Sequence, residues 1–318
     1  MAKGKIEVLS LCSFFILNCV FIFIAGCAGW PWRPAPELRE ATAEQLTRLL
    51  RDREAAIQTM KGLFRAHVKG PGIPFAQRVD GAMFYRRPHT LRLQGFTRLG
   101  GGEVFELVVG QDLFRLRLPV QGKMYAGRVE DWERLGEIGR PFQLSVWAMK
   151  SAVGVASVTK GEGVTLTEEG DQYRLEIYER REAGSSATTR PRRRIWFERQ
   201  SLEVVREDLL TAAGELEASI EFEDFRPVVI MPAGVAASAD GKGAAPMRKP
   251  FKITTHDGRG QGTITVTFQE IVPNPHLKPE ELGVARAGGE VESEVEAPER
   301  QGIEPFLNLS LNLNLGLS

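Results

Sequence analysis

The chain is short of the residues on which many active sites depend. Its 3 cysteines, Cys12, Cys19 and Cys27, all lie near the start of the sequence. Beyond Cys27 it therefore cannot form a disulfide, a thiol active site or a cysteine metal cluster. It also has no excess of positive charge, because 41 basic residues balance 41 acidic ones. Proteins that bind nucleic acid need such an excess to neutralise phosphates, so the sequence excludes that class of partner.

Histidine is scarce as well. His67, His89, His256 and His276 are isolated, and the sequence contains no HExxH, no Gly-x-Ser-x-Gly and no phosphate-binding loop. The string His256-Asp257-Gly258 invites a metal-binding interpretation, but Asp-Gly is the pair that a tight turn requires. The sequence thus predicts a protein that is not an enzyme, with no catalytic residue, metal site or cofactor.

The first residues have the layout of a secretory signal. Lys3 and Lys5 precede an apolar run from Val8 to Ile24. The string Ile24-Ala25-Gly26-Cys27 resembles the bacterial lipobox, which implies a lipoprotein signal peptide over residues 1–26 and lipid on Cys27. The alternative is an uncleaved transmembrane anchor, since the apolar run approaches the ~20 residues that span a bilayer.

Residues 27–40 are predicted to tether the lipidated cysteine to a folded domain. Residues 28–36 are rich in proline and cannot form a helix. Ala28 rather than aspartate follows Cys27, and the resemblance to lipoproteins then implies sorting to the outer membrane. We therefore expect a protein of the cell envelope, held by its lipid and facing the periplasm.

An amphipathic helix is predicted from Ala41 to about Lys61. Apolar residues recur there at spacings of three, four and seven, which is the period of one helix face. Thr42 is expected to cap its start, and Gln45 completes a capping box. The recurring apolar residues are Leu46, Leu49, Leu50, Ile57 and Met60.

Farther along the chain, apolar and polar residues alternate, as in strands with one apolar face. Glycine-rich tight turns separate these segments, for example at Gly100-Gly101-Gly102 and Glu169-Gly170-Asp171. Short connections between successive strands favour an antiparallel sheet. The alternating apolar residues are Phe114, Leu116, Leu118, Tyr173, Leu175, Ile177, Ile195, Phe197, Leu216, Ala218, Ile220, Phe222, Ile264, Val266 and Phe268.

Between Glu130 and Val155 this alternation stops, and one or two short helices are predicted. Residues 183–194 are predicted to be an Arg-rich polar loop, and residues 233–249 an Ala/Gly-rich loop. Residues 285–318 are predicted to be a low-complexity tail, whose end alternates Leu with Asn, Ser or Gly in a strand pattern with no evident partner.

The order of these elements resembles the carriers and receptors of lipoprotein localisation (LolA/LolB-like). The string 81–88 (Gly-Ala-Met-Phe-Tyr-Arg-Arg-Pro) is similar to a strand of the carrier, 141–144 (Pro-Phe-Gln-Leu) to the start of its lid helix, and 99–107 to a hairpin of the receptor. The resemblance covers roughly residues 46–282, within a predicted domain 41–284. It implies a mainly β fold with α-helices, in which a curved antiparallel sheet forms an unclosed half-barrel covered by the N-terminal helix and a short helical lid.

The resemblance also implies a function, which is binding of lipid or lipoprotein acyl chains in an apolar cavity. Expected partners are those acyl chains, the membrane through Cys27, and a periplasmic carrier protein. Arg87 matches an arginine that bonds the lid in the carrier, and Leu99 matches a leucine that contacts the membrane in the receptor. Candidates to line the cavity or lid are Phe84, Arg87, Phe114, Leu116, Phe142, Leu144, Trp147 and Phe222.

Simpler interpretations stay open for these residues. Each aromatic could serve only to fill the core, Arg87 could be a strand-end charge in water, and Leu99 could fold back on neighbouring loops. A second function is also open, which is that of a scaffold lipoprotein in an envelope assembly or export complex. In that case Arg190, Arg192, Arg193 and Arg194 would meet anionic lipid phosphates.

Overall fold

The structure is a computed structural model, and it describes residues 37–70, 73–97, 102–179, 190–230, 246–260 and 262–283. The predicted signal peptide, Cys27, most of the tether, Leu99 and the tail 285–318 lie outside these residues. None of the helices that the structure describes has the length and apolar character needed to cross a membrane.

Helix α1 runs over Ala43–Ala55 and begins as the sequence predicts. The Thr42 hydroxyl accepts a hydrogen bond from the Gln45 backbone N–H, and the Gln45 side chain accepts one from the Thr42 N–H. Leu46 and Leu50 are buried on one face of the helix. The predicted C-terminal end was wrong, because the chain leaves the helix at Ala56 and enters a strand at Thr59. Ile57 and Met60 are buried, but as core residues beyond the helix.

One antiparallel sheet accounts for most of the described chain. Its order is β6-β5-β4-β3-β2-β1-β13-β12-β11-β10-β9-β8-β7, so the first and last of the described strands pair at the centre and the described sheet is not closed. This confirms the predicted mainly β fold and its unclosed antiparallel sheet. The strands are β1 (Thr59–Gly70), β2 (Ile73–Arg86), β3 (Thr90–Phe96), β4 (Glu103–Gly110), β5 (Leu113–Leu118), β6 (Lys123–Arg128), β7 (Gly163–Glu169), β8 (Gln172–Tyr178), β9 (Pro191–Glu198), β10 (Val204–Leu210), β11 (Leu216–Val229), β12 (Pro246–Asp257) and β13 (Thr263–Pro273).

The two edge strands, β6 and β7, are joined by the helical segment that the sequence predicts. A 3₁₀ stretch over Val129–Ile138 leads directly into helix α2, which spans Gly139–Val153. Helix α2 packs against β12 and β13, near the middle of the sheet. The chain that connects the two edges therefore lies over the sheet's inner face, which is the face that packs against both helices.

A single apolar core lies on this inner face. It takes alternate residues from strands of both halves of the sheet, such as Leu116 in β5 and Ile220 in β11, both fully buried. Leu46 of α1 and Leu144 of α2 belong to the same core. Burying each such side chain contributes roughly 1.5–3 kcal/mol, so this face is the main source of stability.

Both predicted surface loops are shorter than expected. Pro191–Arg194 already belong to β9 and Pro246–Lys249 already belong to β12, because each stretch pairs with a neighbouring strand. Those loop predictions followed the polar and small-residue composition, and tertiary pairing overrides composition.

The opposite, outer face of the sheet carries a short strap after β13. A 3₁₀ turn at Pro279–Leu282 packs Leu277 and Leu282 against Ala82 and Phe84 of β2. The Arg86 guanidinium donates to the Leu277 carbonyl over 2.7 Å. Outer-face residues of β2 are thus covered by the chain itself.

Glycine at position 81 makes close packing of the inner face possible. A Cβ there would lie 2.5 Å from both the Phe64 ring and the Gln94 carbonyl oxygen. We expect Gly81→Ala to lower the free energy of unfolding, measured by urea denaturation, by about 1–3 kcal/mol through overpacking. Gly163→Ala is the control, because its nearest neighbour would be the Tyr178 Cβ at 3.8 Å. Equal losses in the two variants would contradict this packing argument.

Candidate functional site

Six of the candidate cavity and lid residues belong to, or pack against, the one apolar core on the inner face, to which α2 also contributes. Phe114, Leu116 and Phe222 point inward from β5 and β11, and Leu144 is buried on α2. The remaining two lie on α2, are partly buried, and pack against the same core, namely Phe142 and Trp147. The structure thus brings together residues that the sequence separates by more than a hundred positions.

Aromatic rings join the helical segment to the first half of the sheet. Phe142 of α2 meets Phe105 of β4 edge to face, with ring centroids 5.2 Å apart. Trp132, in the 3₁₀ stretch before α2, stacks on Phe114 of β5 at 4.1 Å. Both contacts are apolar, and aromatic pairs of this kind contribute about 0.5–1.5 kcal/mol beyond their buried area.

A charged contact ties the start of α2 to the second half of the sheet. Arg140 Nη2 donates to Asp257 Oδ1 over 2.6 Å and to the Glu217 carbonyl over 2.7 Å. The guanidinium also lies over the Trp147 ring, 5.1 Å from its centroid. Asp257 is buried, so this ion pair is shielded from water. It fixes the first turn of α2 to the ends of β11 and β12.

A second tie lies in the last turn of α2. The Ser151 hydroxyl donates to Glu207 Oε2 over 2.8 Å, and Arg193 Nη1 lies 3.4 Å from Glu207 Oε1. Arg193 also donates to the Ala156 carbonyl, just after the helix, over 2.9 Å. Burial raises the pKa of the Glu207 carboxyl, although Arg193 and Ser151 act in the opposite direction.

A third tie holds the last residue of α2. Lys249 Nζ, on β12, donates to the Val153 carbonyl. Nearby, Arg53 of α1 pairs with Glu203 at 3.0 Å. Burial is the main reason why the pKa of Lys249 falls to about 7, with a further contribution from the positive charge of Arg53. The carboxyl ends of both helices therefore converge on one buried, charged cluster.

Comparison with known proteins gives likenesses of structure. No protein-family model matches the chain, and no curated protein does. Among solved structures, it is similar to a domain named for outer membrane lipoprotein sorting from Vibrio parahaemolyticus, with 9% identity, a TM-score of 0.48 and coverage of 76% of this chain and 97% of that one. It is also similar to a LolA superfamily protein from Nitrosomonas europaea, with 9% identity, a TM-score of 0.47 and coverage of 76% and 97%.

A DUF1329 family protein from Desulfovibrio piger is similar in structure as well. The identity is 11%, the TM-score is 0.47, and the match covers 76% of this chain and 98% of that one. The LolA superfamily, which the sequence strings resemble, is thus represented among the similar structures. Identities this low concern the fold and say nothing of function.

Arg87 has a different set of contacts from the one that the resemblance implies. Its Nε donates to the Ile57 carbonyl over 3.2 Å, and its Nη2 donates to the Glu54 carbonyl, both at the end of α1. The guanidinium also pairs with the Glu54 carboxylate, whose Oε2 accepts from the Ser157 N–H after α2. Arg87 is therefore neither a free strand-end charge nor a direct partner of the lid, since it holds the end of α1.

This role of Arg87 gives a prediction for stability. We expect Arg87→Met to lower the free energy of unfolding by about 1–3 kcal/mol, because carbonyls at the end of α1 lose charged donors. The control is Arg128→Met, since Arg128 and its partner Glu130 are both largely exposed. A surface change of that kind shifts stability by less than about 0.5 kcal/mol. If urea denaturation gave the same small change in the free energy of unfolding for both variants, the contacts of Arg87 would not contribute to stability.

Phe84 does not join the other candidates. It lies on the outer face of β2 beneath the strap, whereas its neighbours Met83 and Tyr85 face inward. Lys61 and Arg92 lie over its ring, 5.3 and 5.9 Å from the centroid. The expectation that Phe84 lines the inner cavity is therefore wrong in its placement, because strand alternation turns this side chain outward.

The four arginines considered for phosphate binding do not form one surface. Arg192 and Arg194 pair with Glu179 and Glu176 on one face of the sheet, while Arg193 turns to Glu207 on the other. Arg190 donates to the Ala213 carbonyl. Each guanidinium already has a protein partner, so this run offers little support for the scaffold alternative.

The residues that tie α2 were missed at the sequence level. A signal exists in β12, where Lys249 and Asp257 occupy inward positions of the alternating series that contains Phe251 and Ile253. A charge at an inward position requires a buried partner, so it marks a contact. No group of three or more His, Cys, Asp or Glu residues that could hold a metal occurs in the described part of the chain.

Proposed function

We propose that this chain binds the acyl chain of a lipid or lipoprotein between the inner face of its sheet and α2, without catalysing a reaction. The observation that carries the proposal is the way in which α2 is held. Polar ties fix the helix to β10–β12, whereas aromatic rings meet β4 and β5 on the other half of the sheet. A helix held in this way can leave an apolar surface and return to it.

The energies of these contacts support a reversible lid. Each polar tie is a hydrogen bond to a charged group, which contributes only about 1.5–3 kcal/mol net, because water replaces the lost partner when the helix lifts. Water does not replace the contacts of the apolar surface beneath α2 in this way. Exposure of that surface is therefore the main free-energy cost of lifting the helix. An acyl chain offsets that cost, since it gains roughly 0.8 kcal/mol for each CH₂ that it buries.

A neutral fluorescent probe tests this proposal. N-phenyl-1-naphthylamine brightens in apolar surroundings, and we expect it to bind the purified full-length protein saturably and to be displaced by tetradecanol. Phe142→Glu, which places a charge at the contact between α2 and Phe105, should weaken probe binding. Leu113→Glu is the control, because Leu113 is 57% exposed on β5. Absence of saturable binding to the wild-type chain would overturn the proposal.

We further propose that lipid on Cys27 anchors the chain in the cell envelope, at the outer membrane and facing the periplasm. This rests on the sequence from Lys3 to Cys27, which has the layout of a lipoprotein signal. Cys27→Ser should abolish incorporation of a radiolabelled fatty acid, because a serine hydroxyl is too weak a nucleophile for thioether formation. Continued labelling of the serine variant would contradict the anchor.

A further inference from the structure

Two cations and one carboxylate form a cluster near the ends of the two helices. Arg53 and Lys249 lie there with Glu203, and Glu203 pairs with Arg53 at 3.0 Å. Arg53 also donates to the Leu202 carbonyl. Lys249 is only 4% exposed, and its Nζ donates to the uncharged Val153 carbonyl. Throughout the described part of the chain, no carboxylate oxygen is in ion-pair contact with Lys249.

This arrangement leaves the buried ammonium of Lys249 without an anion in direct contact. A buried ammonium group requires a hydrogen-bonded anion to offset its desolvation, and one carbonyl does not supply it. Burial lowers the pKa of Lys249, and the positive charge of Arg53 lowers it further, while Glu203 acts in the opposite direction and has its own pKa raised by burial. One further negative charge at this position would therefore be stabilised.

The cation adjoins the apolar surface on which an acyl chain would lie. Lys249, Phe251 and Ile253 follow one another on the same face of β12. Ile253 pairs across the sheet with Phe222 of β11, one of the candidate cavity residues. A molecule with an apolar chain and an anionic end would place the chain over Ile253 and Phe222 and its end at Lys249.

We propose that Lys249 binds the anionic head group, a carboxylate or a phosphate, of the acyl-chain molecule that binds under α2. This inference rests on the proposed function and specifies its substrate class. When α2 lifts, Lys249 loses the Val153 carbonyl and gains the head group. The ammonium exchanges a neutral acceptor for a charged one, and a charge-assisted hydrogen bond is the stronger of the two.

Displacement of N-phenyl-1-naphthylamine from the full-length protein tests this inference. The competitors share one chain length and differ in the head group, and they are tetradecanoate, tetradecyl phosphate and tetradecanol. We expect at least one of the anions to displace the probe at roughly tenfold lower concentration than tetradecanol, since a charge-assisted hydrogen bond is stronger than a neutral one. Preference for tetradecanoate supports a fatty acid, and preference for tetradecyl phosphate supports a phospholipid.

Variants of Lys249 test whether this residue binds the head group. Lys249→Met should remove the preference for the anion while tetradecanol still displaces the probe, and Lys249→Arg, which keeps the charge, should retain it. Lys252→Met should also retain it, because Lys252 is partly exposed on the same strand and pairs with Glu223. Equal displacement by all three competitors from the wild-type chain would overturn the head-group site yet leave acyl binding intact. Failure of every competitor to displace would instead overturn the proposed function, and a preference that persists in Lys249→Met would exclude Lys249.

Discussion

We expect Asp257→Ala to lower the free energy of unfolding by about 3–5 kcal/mol, which is the usual loss when one partner of a buried ion pair is removed. Asp257 is buried, and Arg140, itself largely buried, would keep only the longer ion pair with Glu217 at 3.8 Å. The first turn of α2 would also lose its tie to β12. Urea denaturation at neutral pH measures the effect.

A double-mutant cycle separates the effect of the ion pair from other effects of the Asp257 substitution on stability. Adding Arg140→Met to Asp257→Ala should recover part of the stability, because it removes a charge that has lost its buried partner. Glu130→Ala is the control, since Glu130 and Arg128 form a largely exposed pair that contributes little. A loss in Asp257→Ala no larger than that of Glu130→Ala would show that this tie does not hold α2.

The second large effect concerns Lys249 and its dependence on pH. Its pKa is about 7 in the folded chain, below the ordinary value of 10.5. Between these two values the unfolded state binds more protons than the folded state, so wild-type stability rises with pH across this window. Lys249→Met lacks this contribution. We expect the stability of the variant relative to wild type to fall by about 3–4 kcal/mol between pH 7 and pH 10.

Urea denaturation of both chains at several pH values checks the sign and the size. The Met side chain also loses the hydrogen bond to Val153, but this loss does not depend on pH. Lys252→Met, which replaces a partly exposed lysine on the same strand, is the matched control. A constant difference between Lys249→Met and wild type over the whole range would contradict the burial of a titrating lysine.

Much of the fold is predictable because it rests on local patterns. The capping box at Thr42 and Gln45 places the start of α1, and alternation places strands such as β5, β8 and β13. The end of α1 is less predictable, since Ile57 and Met60 keep a helical spacing although they are buried by β-sheet packing. Local composition likewise places Arg193 and Lys249 in predicted loops. Their positions in strands, and their contacts with α2, depend on partners that are distant in the sequence.

The site is only partly predictable for the same physical reason. Apolar alternation brings Phe114 and Phe222 to one face, and the loss of alternation marks α2. Which face of the sheet a residue occupies depends on strand register. The residue types of Met83, Phe84 and Tyr85 alone therefore do not tell which of them points inward. The ties of α2 pair residues more than fifty positions apart, such as Ser151 with Glu207, and no local pattern encodes such a pair.

Photo-crosslinking tests the central claim, acyl-chain binding under α2, most directly. A tetradecanoate with a diazirine near the end of its chain would be bound by the full-length protein, irradiated, and mapped by mass spectrometry of peptides. We predict labels on inner-face residues such as Phe114, Leu116 and Phe222 and on α2 near Phe142, with competition by unlabelled tetradecanoate. Labels that resist competition, or that fall on Phe84, Leu277 and Leu282 of the outer face, would contradict the account.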